Sequence, residues 1–379
     1  MRPVVLLTSA VVLLDTLFFS ALTPLLPHYA HELGLSKVGA GVLAGAYPAG
    51  ALAGAIPSGI VAARVGVKPT VLVGLVVVAV CTVIFGIATS EWALDTARFF
   101  QGVASAFSWT GALAWLVAAA PAERRGRVIG RAFAAAVAGA LFGPVLGGIA
   151  SVAGTGWTFS AVAVLEVALA VWAVMTPAAR PERPQGTGAL VRALRDRRIL
   201  AAFWLVVLPS LLFGNLDVLA PLRLSALGLG TVGIGAAFLA AAAAEALNNG
   251  FLGRVSDRHG PRPPLLAGLA GSIVVAAAVP WPANRFALAA LIVLAGVAFG
   301  TFYTPGMTLL ANLAEEIGLD YGYAFALINL AWAPGFAIGA AGGASLAGAT
   351  SDAVPYLVLS ALCAATLLAT GRTRSAVAG

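Results

Sequence analysis

Charge is scarce in this 379-residue chain, because only 10% of the residues are Asp, Glu, Lys or Arg. Soluble domains carry about 25% charged residues. Hydrophobic residues make up 60% of the sequence, and the mean hydropathy is +0.97. The shortage of charge argues against a soluble protein and favours one that lies in a membrane.

Cysteine is almost absent, and the two that occur, Cys81 and Cys363, both fall inside apolar runs. A disulfide framework and a zinc site are therefore not indicated. His28 and His31, with Glu32 beside them, have no further candidate ligands, so we expect solvent-facing residues just after the first helix and no metal.

We find no GxxxxGK[ST] loop, nucleophile elbow or zinc-protease motif. We thus expect no enzyme and no cofactor.

Long apolar runs dominate what remains, and many reach the ~20 residues that an α-helix needs to cross a bilayer. The first run is too long for a signal peptide, so we expect it to be a retained helix. Breaking the chain at charges, prolines and glycine-rich turns predicts twelve spans: 3–27, 37–62, 68–89, 92–119, 126–153, 156–176, 199–224, 231–252, 263–280, 284–313, 321–349 and 352–371.

The basic residues divide unequally between the two sides of such a bundle. With the N-terminus inside, eighteen Lys and Arg residues fall on the cytoplasmic side and only Lys37, Arg223 and Arg285 on the other. The positive-inside rule predicts this asymmetry. The net charge of +7 is spread over short loops, which argues against a nucleic-acid partner. We expect a multi-pass inner-membrane protein with both termini in the cytoplasm.

Two halves of the chain repeat each other. Gly59-IVAARV-Gly66-V-Lys68 and Gly253-RVSDRH-Gly260-P-Arg262 are offset by 253 − 59 = 194 residues. LGLS at 33–36 and LGLG at 227–230 share that offset, and Gly147-Gly148 and Gly342-Gly343 lie 195 apart. We therefore predict a six-helix bundle over 1–176, a cytoplasmic linker over 177–198 and a second six-helix bundle over 199–379. Repeated halves are typical of secondary transporters that bind substrate between them.

These loops resemble the signature of the major facilitator superfamily, and in particular of its twelve-span drug:proton antiporters. The resemblance covers essentially the whole chain and implies an all-α membrane protein with two pseudo-symmetric six-helix bundles. It also implies that the glycines allow close helix approach while charges latch the cytoplasmic face. Ala63 stands where the signature has Asp. The residues that match are Gly59, Arg64, Gly66, Lys68, Gly253, Asp257, Arg258, Gly260 and Arg262.

Two further motifs carry the resemblance. Arg98-FF-Gln101-Gly102 is similar to the motif whose arginine is associated with proton coupling in this superfamily. Gly139-ALF-Gly143-Pro144-VL-Gly147-Gly148 looks like the antiporter motif, which marks exporters. Small residues four apart also permit close backbone contact in any tightly packed helix pair.

Within this group, residues 13–29, 216–222 and 321–343 look most like the vesicular amine transporters and their bacterial relatives. The chain departs from them at two positions. Asn329 stands where they have an acidic residue in helix eleven, and the acidic position of their helix ten falls near Thr301 and Phe302. An amine substrate therefore does not follow from the resemblance alone.

Asp15 lies near the middle of the first predicted span, where a carboxylate costs at least ~2.5 kcal/mol on insertion scales. A carboxyl group that gains and loses a proton there can couple proton flow to substrate exchange. The alternative is a structural pair with Arg98. Phe18 and Phe19 are placed to flank a cation at Asp15, or else to face lipid and neighbouring helices. Gln101, Trp109, Phe302 and Tyr303 are further cavity candidates.

Three other acidic residues lie in apolar segments. Asp217 is a candidate for the site or an external gate, or a solvated residue at the interface. Glu245, with Asn248 and Asn249 one turn on, is either a coupling carboxylate or part of a polar cluster at a helix end. Glu166, in the sixth span, has no better interpretation than a buried hydrogen bond, with a role in a proton path left open.

We interpret the sequence as a proton-coupled antiporter that exports small hydrophobic or cationic organic compounds by alternating access. Its expected partners are the substrate, protons and lipid, and we expect a monomer. Two alternatives remain: a sugar or metabolite exporter of the same fold, and a membrane sensor that has lost transport, which the missing acid at Ala63 allows.

Overall fold

The computed structural model describes residues 2–121, 124–177, 188–319 and 321–372, without the side chains of 189, 191, 257, 321–323 and 371–372. All regular secondary structure in these ranges is helical. A π-helical turn, Ile338–Gly342, joins α12 to α13. The helices are α1 Arg2–Glu32, α2 Lys37–Arg64, α3 Val67–Ile87, α4 Glu91–Ala119, α5 Arg125–Ala153, α6 Thr155–Met175, α7 Gly188–Ala193, α8 Arg197–Ala226, α9 Thr231–His259, α10 Arg262–Ala278, α11 Arg285–Glu316, α12 Tyr321–Ala337, α13 Gly343–Ala349 and α14 Ala353–Arg372.

The twelve predicted spans are confirmed as helices. In the described ranges eleven helical segments are long and apolar enough to cross a membrane, and α10 is a shorter apolar helix of 17 residues. Two of the predicted spans end several residues before the helices do. α1 continues through Pro27 to Glu32, and α9 continues past its apolar part to His259, because helical hydrogen bonding does not stop where polarity begins.

The extension of α1 changes the place of the two histidines. His28 and His31 lie in its last turns rather than after the helix, and His28 Nε2 is 3.2 Å from Glu32 Oε2. The described residues contain no group of three or more potential metal-ligating side chains.

Backbone conformation repeats with the sequence. Gly34 and Gly228 have φ values of +65° and +80°, and Gly66 and Gly260 have +119° and +77°. Each pair is offset by 194 residues, as 228 − 34 and 260 − 66. These left-handed conformations favour glycine because it lacks a Cβ atom. The repeat therefore reflects the same turn chemistry in both halves.

The helices form two six-helix bundles, α1–α6 and α8–α14, with α7 in the predicted linker; in the second bundle α12, the π-helical turn and α13 form one continuous helix. In the first bundle α1 packs on α5, and α4 packs on α2 and α3. In the second, α8 packs on α11 and α12, and α10 on α11 and α14. The bundles meet where α2 contacts α12 and α5 contacts α9. We call the side where α2 begins the Lys37 end and the side where α3 begins the Lys68 end.

Candidate functional site

Asp15 is the centre of a hydrogen-bonded cluster in the first bundle. Its Oδ2 atom accepts hydrogen bonds from Tyr47 Oη at 2.9 Å, Ser105 Oγ at 2.8 Å and Trp109 Nε1 at 2.8 Å. The residue is only 7% exposed. All three donors are neutral, so neutral side chains of α2 and α4 hold the carboxyl group in place.

Close helix crossings bring these donors together. A Cβ atom added at Gly102 of α4 would overlap the Tyr47 carbonyl oxygen of α2, and one at Gly50 of α2 would overlap the Phe99 carbonyl oxygen of α4. The absence of side chains at both crossing points lets the two backbones touch, which places Tyr47 beside α4. Along α4, a polar stripe at helical spacing faces α1 and consists of Arg98, Gln101, Ser105 and Trp109.

Arg98 does not form a salt bridge with Asp15, although both side chains are described. Its Nη2 atom donates to the Phe19 carbonyl oxygen at 3.2 Å, while Nε and Nη1 have no hydrogen-bond partner. Four aromatic rings instead surround the guanidinium, with centroids 5.0–5.8 Å from Cζ: Phe18, Phe19, Tyr47 and Phe85. Cation–π attraction stabilises a desolvated guanidinium in such a cage.

Aromatic contacts between the bundles lie on both sides of Asp15. Toward the Lys37 end, the Phe19 ring lies 5.7 Å from Trp332 and 5.4 Å from Phe336 of α12. Toward the Lys68 end, Trp109 stacks on Phe325 of α12 at 5.3 Å. Asp15 is therefore enclosed between two aromatic layers, each built from both bundles.

The structure separates the predicted cavity residues into two groups. Phe19 and Trp109 lie in the aromatic layers described above. Phe18 points into its own bundle, against Phe85 and Phe159, because a one-residue step turns a helical side chain by about 100°. Phe302 is fully buried against Gly268 of α10, so neither Phe18 nor Phe302 reaches the space around Asp15.

The remaining predicted residues make no hydrogen bond to Asp15. Gln101 is fully buried, and its amide nitrogen and oxygen have no hydrogen-bond partner. Tyr303 lies in the second bundle near Ser210 and Phe213. Asn329 is half-buried on α12.

The second bundle carries two half-buried carboxyl groups. Asp217 of α8 interacts with the Thr23 hydroxyl of α1, which joins the two bundles. Glu245 of α9 lies against Gly300 of α11, directly before Thr301.

One turn further along α9, two asparagines pair with threonines of α11. Asn248 Nδ2 donates to Thr301 Oγ1 at 2.8 Å, and Thr304 Oγ1 donates to Asn249 Oδ1 at 3.0 Å. Polar side chains do surround Glu245, but the prediction of a cluster at the end of the helix was wrong, because α9 continues to His259.

Glu166 makes the buried hydrogen bond that the sequence suggested. Thr82 Oγ1 donates to Glu166 Oε1 at 3.4 Å, and the residue is 1% exposed. Its Oε2 atom has no partner among the described residues. The packed rings of Phe18, Phe85 and Phe159 fill the neighbouring interior of the bundle.

The antiporter-like stretch of α5 lies between α1 of its own bundle and α9 of the second bundle. Gly139, Gly143 and Gly147 face the α1 backbone, where an added Cβ would overlap Leu13, Leu17 and Ala21 respectively. On the opposite side, the Pro144 carbonyl oxygen faces Gly235 of α9, and Gly148 faces Val232. The predicted close contact between helices is confirmed here.

The signature loops behave differently from this expectation. A Cβ atom at Gly59 or Gly253 would meet nothing within 4 Å, so these two glycines allow no close approach in this state. Arg64 and Arg258 are exposed, and the side chain of Asp257 lies outside the described residues.

The last basic residue of each loop has a clear structural partner. Lys68 Nζ donates to the Thr176 carbonyl oxygen at 3.0 Å, and Arg262 Nη2 donates to the Thr370 carbonyl oxygen at 3.0 Å. Both members of the pair repeat at one offset, because 262 − 68 and 370 − 176 each equal 194. Each cation neutralises the carbonyl-rich end of the last helix in its own bundle.

Sequence reasoning missed Tyr47, Ser105, Phe325 and Trp332 as parts of the site. The spacing of polar residues along α4 could have indicated Ser105, since it lies one turn from both Gln101 and Trp109. The others needed the contacts between helices, which no local pattern contains.

Comparison with known proteins identifies a family model and several relatives. A sequence model of the Major Facilitator Superfamily matches residues 8–246 and 210–376. The human synaptic vesicular amine transporter is 25% identical over 294 residues, which are 75% of this chain but only 56% of that protein's length. A chloramphenicol resistance protein of Streptomyces lividans is 29% identical over 354 residues, covering 88% of this chain and 87% of its own.

Two solved structures share the fold at low sequence identity. A bacterial homologue of the human lysosomal transporter Spinster, inward-facing and unoccupied, has a TM-score of 0.79 at 16% identity over 98% of this chain and 96% of its own. A D-xylose–proton symporter has a TM-score of 0.76 at 14% identity over 97% and 96%.

Proposed function

Because the chain belongs to the Major Facilitator Superfamily of transporters, we propose that it is a proton-coupled antiporter that exports small hydrophobic or cationic organic compounds. The supporting observation is Asp15, a carboxyl group held by three neutral donors and enclosed between aromatic layers of both bundles. A carboxyl group without a resident cation has an acceptor to offer to either a proton or an organic cation. Because a proton and an organic cation compete for this one carboxyl group, the flux of one is coupled to the flux of the other.

Alternating access follows from the two layers. In the proposed cycle the bundles rock around Asp15, so that one aromatic layer separates while the other stays closed. Arg98 stays in its cage and supplies a fixed positive charge near the site. The similarity to vesicular amine transporters and to a chloramphenicol resistance protein supports this class of substrate and the export direction.

The proposal includes the placement of the protein. We propose an inner-membrane monomer with the Lys68 end and both termini in the cytoplasm, supported by the charge asymmetry of the loops. We also keep the proposed division into bundles over 1–176 and 199–379, with residues 177–198 as the linker.

Proteoliposomes test the proposal directly. An imposed pH gradient should drive counterflow of a cationic dye in wild-type protein, and Asp15→Asn should abolish the gradient-dependent part. Glu316→Gln, an exposed carboxyl at the Lys68 end, is the matched control and should transport normally. Gradient-driven transport that survives in Asp15→Asn would exclude Asp15 as the coupling group.

A second candidate function is export of a sugar or another neutral metabolite. The Asn248–Thr301 and Asn249–Thr304 pairs favour it, because amide and hydroxyl groups suit hydroxyl-rich ligands. Counterflow of neutral sugars that is insensitive to Asp15→Asn would support it. A transport-inactive sensor would move no compound under any gradient.

A further inference from the structure

A groove outside the Asp15 cluster opens on the side of the molecule where α2, α4 and α12 meet. Its volume is about 720 Å³, within the range of small-molecule sites. Ala337 and Ala341 of the second bundle form one wall, so the groove crosses the contact between the bundles. Val42, Ala46, Ala49, Trp92, Phe99 and Phe100 complete most of its apolar lining.

Two carboxyl groups interrupt this apolar surface, Glu91 and Asp95, one turn apart on α4. Neither forms a salt bridge with any basic residue that the structure describes, and Asp95 Oδ1 accepts no hydrogen bond there. Glu91 Oε1 lies beside Gly39 in the first turn of α2. No lysine, arginine or histidine lines the groove.

We propose that this groove binds a free amphiphilic organic cation, with the ammonium group at Glu91 and Asp95 and the hydrophobic body against Phe99 and Phe100. We choose a cation as the ligand because of charge complementarity. A surface of two unpaired carboxyl groups and aromatic rings attracts a cation and repels an anion. A phospholipid is a poorer occupant, because its phosphate would lie next to both carboxyls with no basic residue to hold it.

Because the groove lies between the two bundles, a ligand bound there is affected by their movement during transport. Its walls come from both bundles at the Lys37 end, so separation of α2 from α12 changes its shape. A compound that partitions into the bilayer can reach it sideways without passing through either loop face. The inference rests on the proposed function for its substrate class, and it adds a second binding site distinct from Asp15.

Photolabelling of the full-length protein tests the site. The probe is a decyltrimethylammonium carrying a diazirine in its chain, used in nanodiscs of phosphatidylethanolamine and phosphatidylglycerol. Cross-links should map by mass spectrometry to Val42, Ala46 and Phe100. The double variant Glu91→Gln, Asp95→Asn should reduce this labelling roughly tenfold, as expected for loss of a charge-assisted interaction.

Controls separate the possible occupants. The neutral decyl alcohol with the same diazirine, and a diazirine phosphatidylcholine, should label the groove weakly and equally in wild type and double variant. If either labels as strongly as the cation, or if the double variant keeps its labelling, the proposal is overturned and the groove is a lipid contact. The pair Glu315→Gln, Glu316→Gln removes two exposed carboxyls elsewhere and should change nothing.

Two further variants keep the result interpretable. Ala46→Leu fills the groove while retaining both carboxyls, so it should abolish labelling in a protein that elutes as a single symmetric peak. Asp15→Asn should retain labelling, because Asp15 lies outside the groove. If the wild-type protein shows no Asp15-dependent transport while the groove is labelled as described, only the proposed function is refuted. Asp15-dependent transport without labelling of the groove refutes only this site.

Discussion

At the scale of single residues, Asp15 and Arg98 show how a membrane protein holds opposite charges near each other without pairing them. Asp15 takes its hydrogen bonds from neutral donors, whereas Arg98 donates to one backbone carbonyl oxygen and is surrounded by aromatic rings, with Nε and Nη1 left without hydrogen-bond partners. Each group is therefore stable independently of the other. The pairing that the sequence allowed is absent in this state, which leaves Asp15 available for a proton or a substrate.

Arg98→Lys should lower the free energy of unfolding by about 2 kcal/mol, because a lysine keeps the charge but loses the planar contact with four desolvated rings. Thermal unfolding in detergent measures this. Arg285→Lys is the matched control, since Arg285 lies 5.2 Å over a single exposed ring, Phe286, and should lose no more than about 1 kcal/mol. Equal losses at both positions would contradict the cage as the source of stability.

Asp196 stabilises the start of α8 from outside the membrane. Its carboxylate accepts from the Arg198 backbone N–H at 2.8 Å, and this hydrogen bond lowers the pKa of Asp196 below its usual value. A depressed pKa in the folded state means that the stabilisation is present above the unfolded pKa of about 3.9 and is lost as pH falls through the folded pKa.

Asp196→Asn, which keeps a capping oxygen but no charge, should therefore unfold at a lower temperature than wild type at pH 7. The difference should shrink as the pH is lowered toward 3. Thermal scans at both pH values check this. A gap that stays constant with pH would show that the charge plays no part.

At the scale of helices, packing depends on glycines placed at crossing points rather than on glycine content. α4 touches α2 at Gly50 and Gly102, and α5 touches α1 at three glycines in successive turns. The motif glycines Gly59 and Gly253 have open space instead. Sequence motifs identified these glycines except Gly50, but only the neighbouring atoms show at which ones a side chain would disrupt the packing.

Gly102→Ala should destabilise the protein by about 1–3 kcal/mol, because the added methyl group overlaps the α2 backbone and must push the helix away. Gly130→Ala in α5 is the control, where an added Cβ meets nothing within 4 Å. There alanine should be neutral or stabilise by up to about 1 kcal/mol through its better helix propensity. The amount of monodisperse protein after heating compares the two. A stable Gly102→Ala protein would argue against the close crossing.

At the scale of the whole molecule, ion pairs at the Lys37 end contribute to the contact between the bundles. Lys37 of the first bundle lies 2.5 Å from Asp352 of the second, and Arg223 Nη1 is 3.9 Å from the same carboxylate. At the Lys68 end, Arg198 lies 3.4 Å from Glu316 and 3.6 Å from Asp196, and neither pair joins the first bundle to the second. Lys37 and Asp352 therefore join the two bundles by charge at the Lys37 end.

Asp352→Asn should shift the protein toward a state open at the Lys37 end. Exposed salt bridges contribute at most about 1 kcal/mol, which corresponds to a population change of up to about fivefold. Spin labels at Val38→Cys and Gly348→Cys, in a background with Cys81 and Cys363 replaced by serine, report the distance between the bundles. The longer distances should gain population in Asp352→Asn and not in Glu316→Gln. Identical distance distributions in all three would contradict the latch.

The sequence by itself determined the number of spans, their limits to within a few residues and the duplication of the chain. These follow from the length of apolar runs, from the charges and prolines between them and from turns that only glycine adopts readily, all of which are local. It also singled out Asp15, because a carboxylate in an apolar helix is costly wherever the neighbours lie.

Tertiary structure alone decided what surrounds that carboxylate. The donors Tyr47, Ser105 and Trp109 come from two other helices, and the aromatic layers come from both bundles. Phe18 and Phe19 are adjacent in sequence, yet one packs inside its bundle and the other faces α12. Such choices depend on how helices cross and rotate against each other, which is set by contacts between distant parts of the chain that no local pattern records.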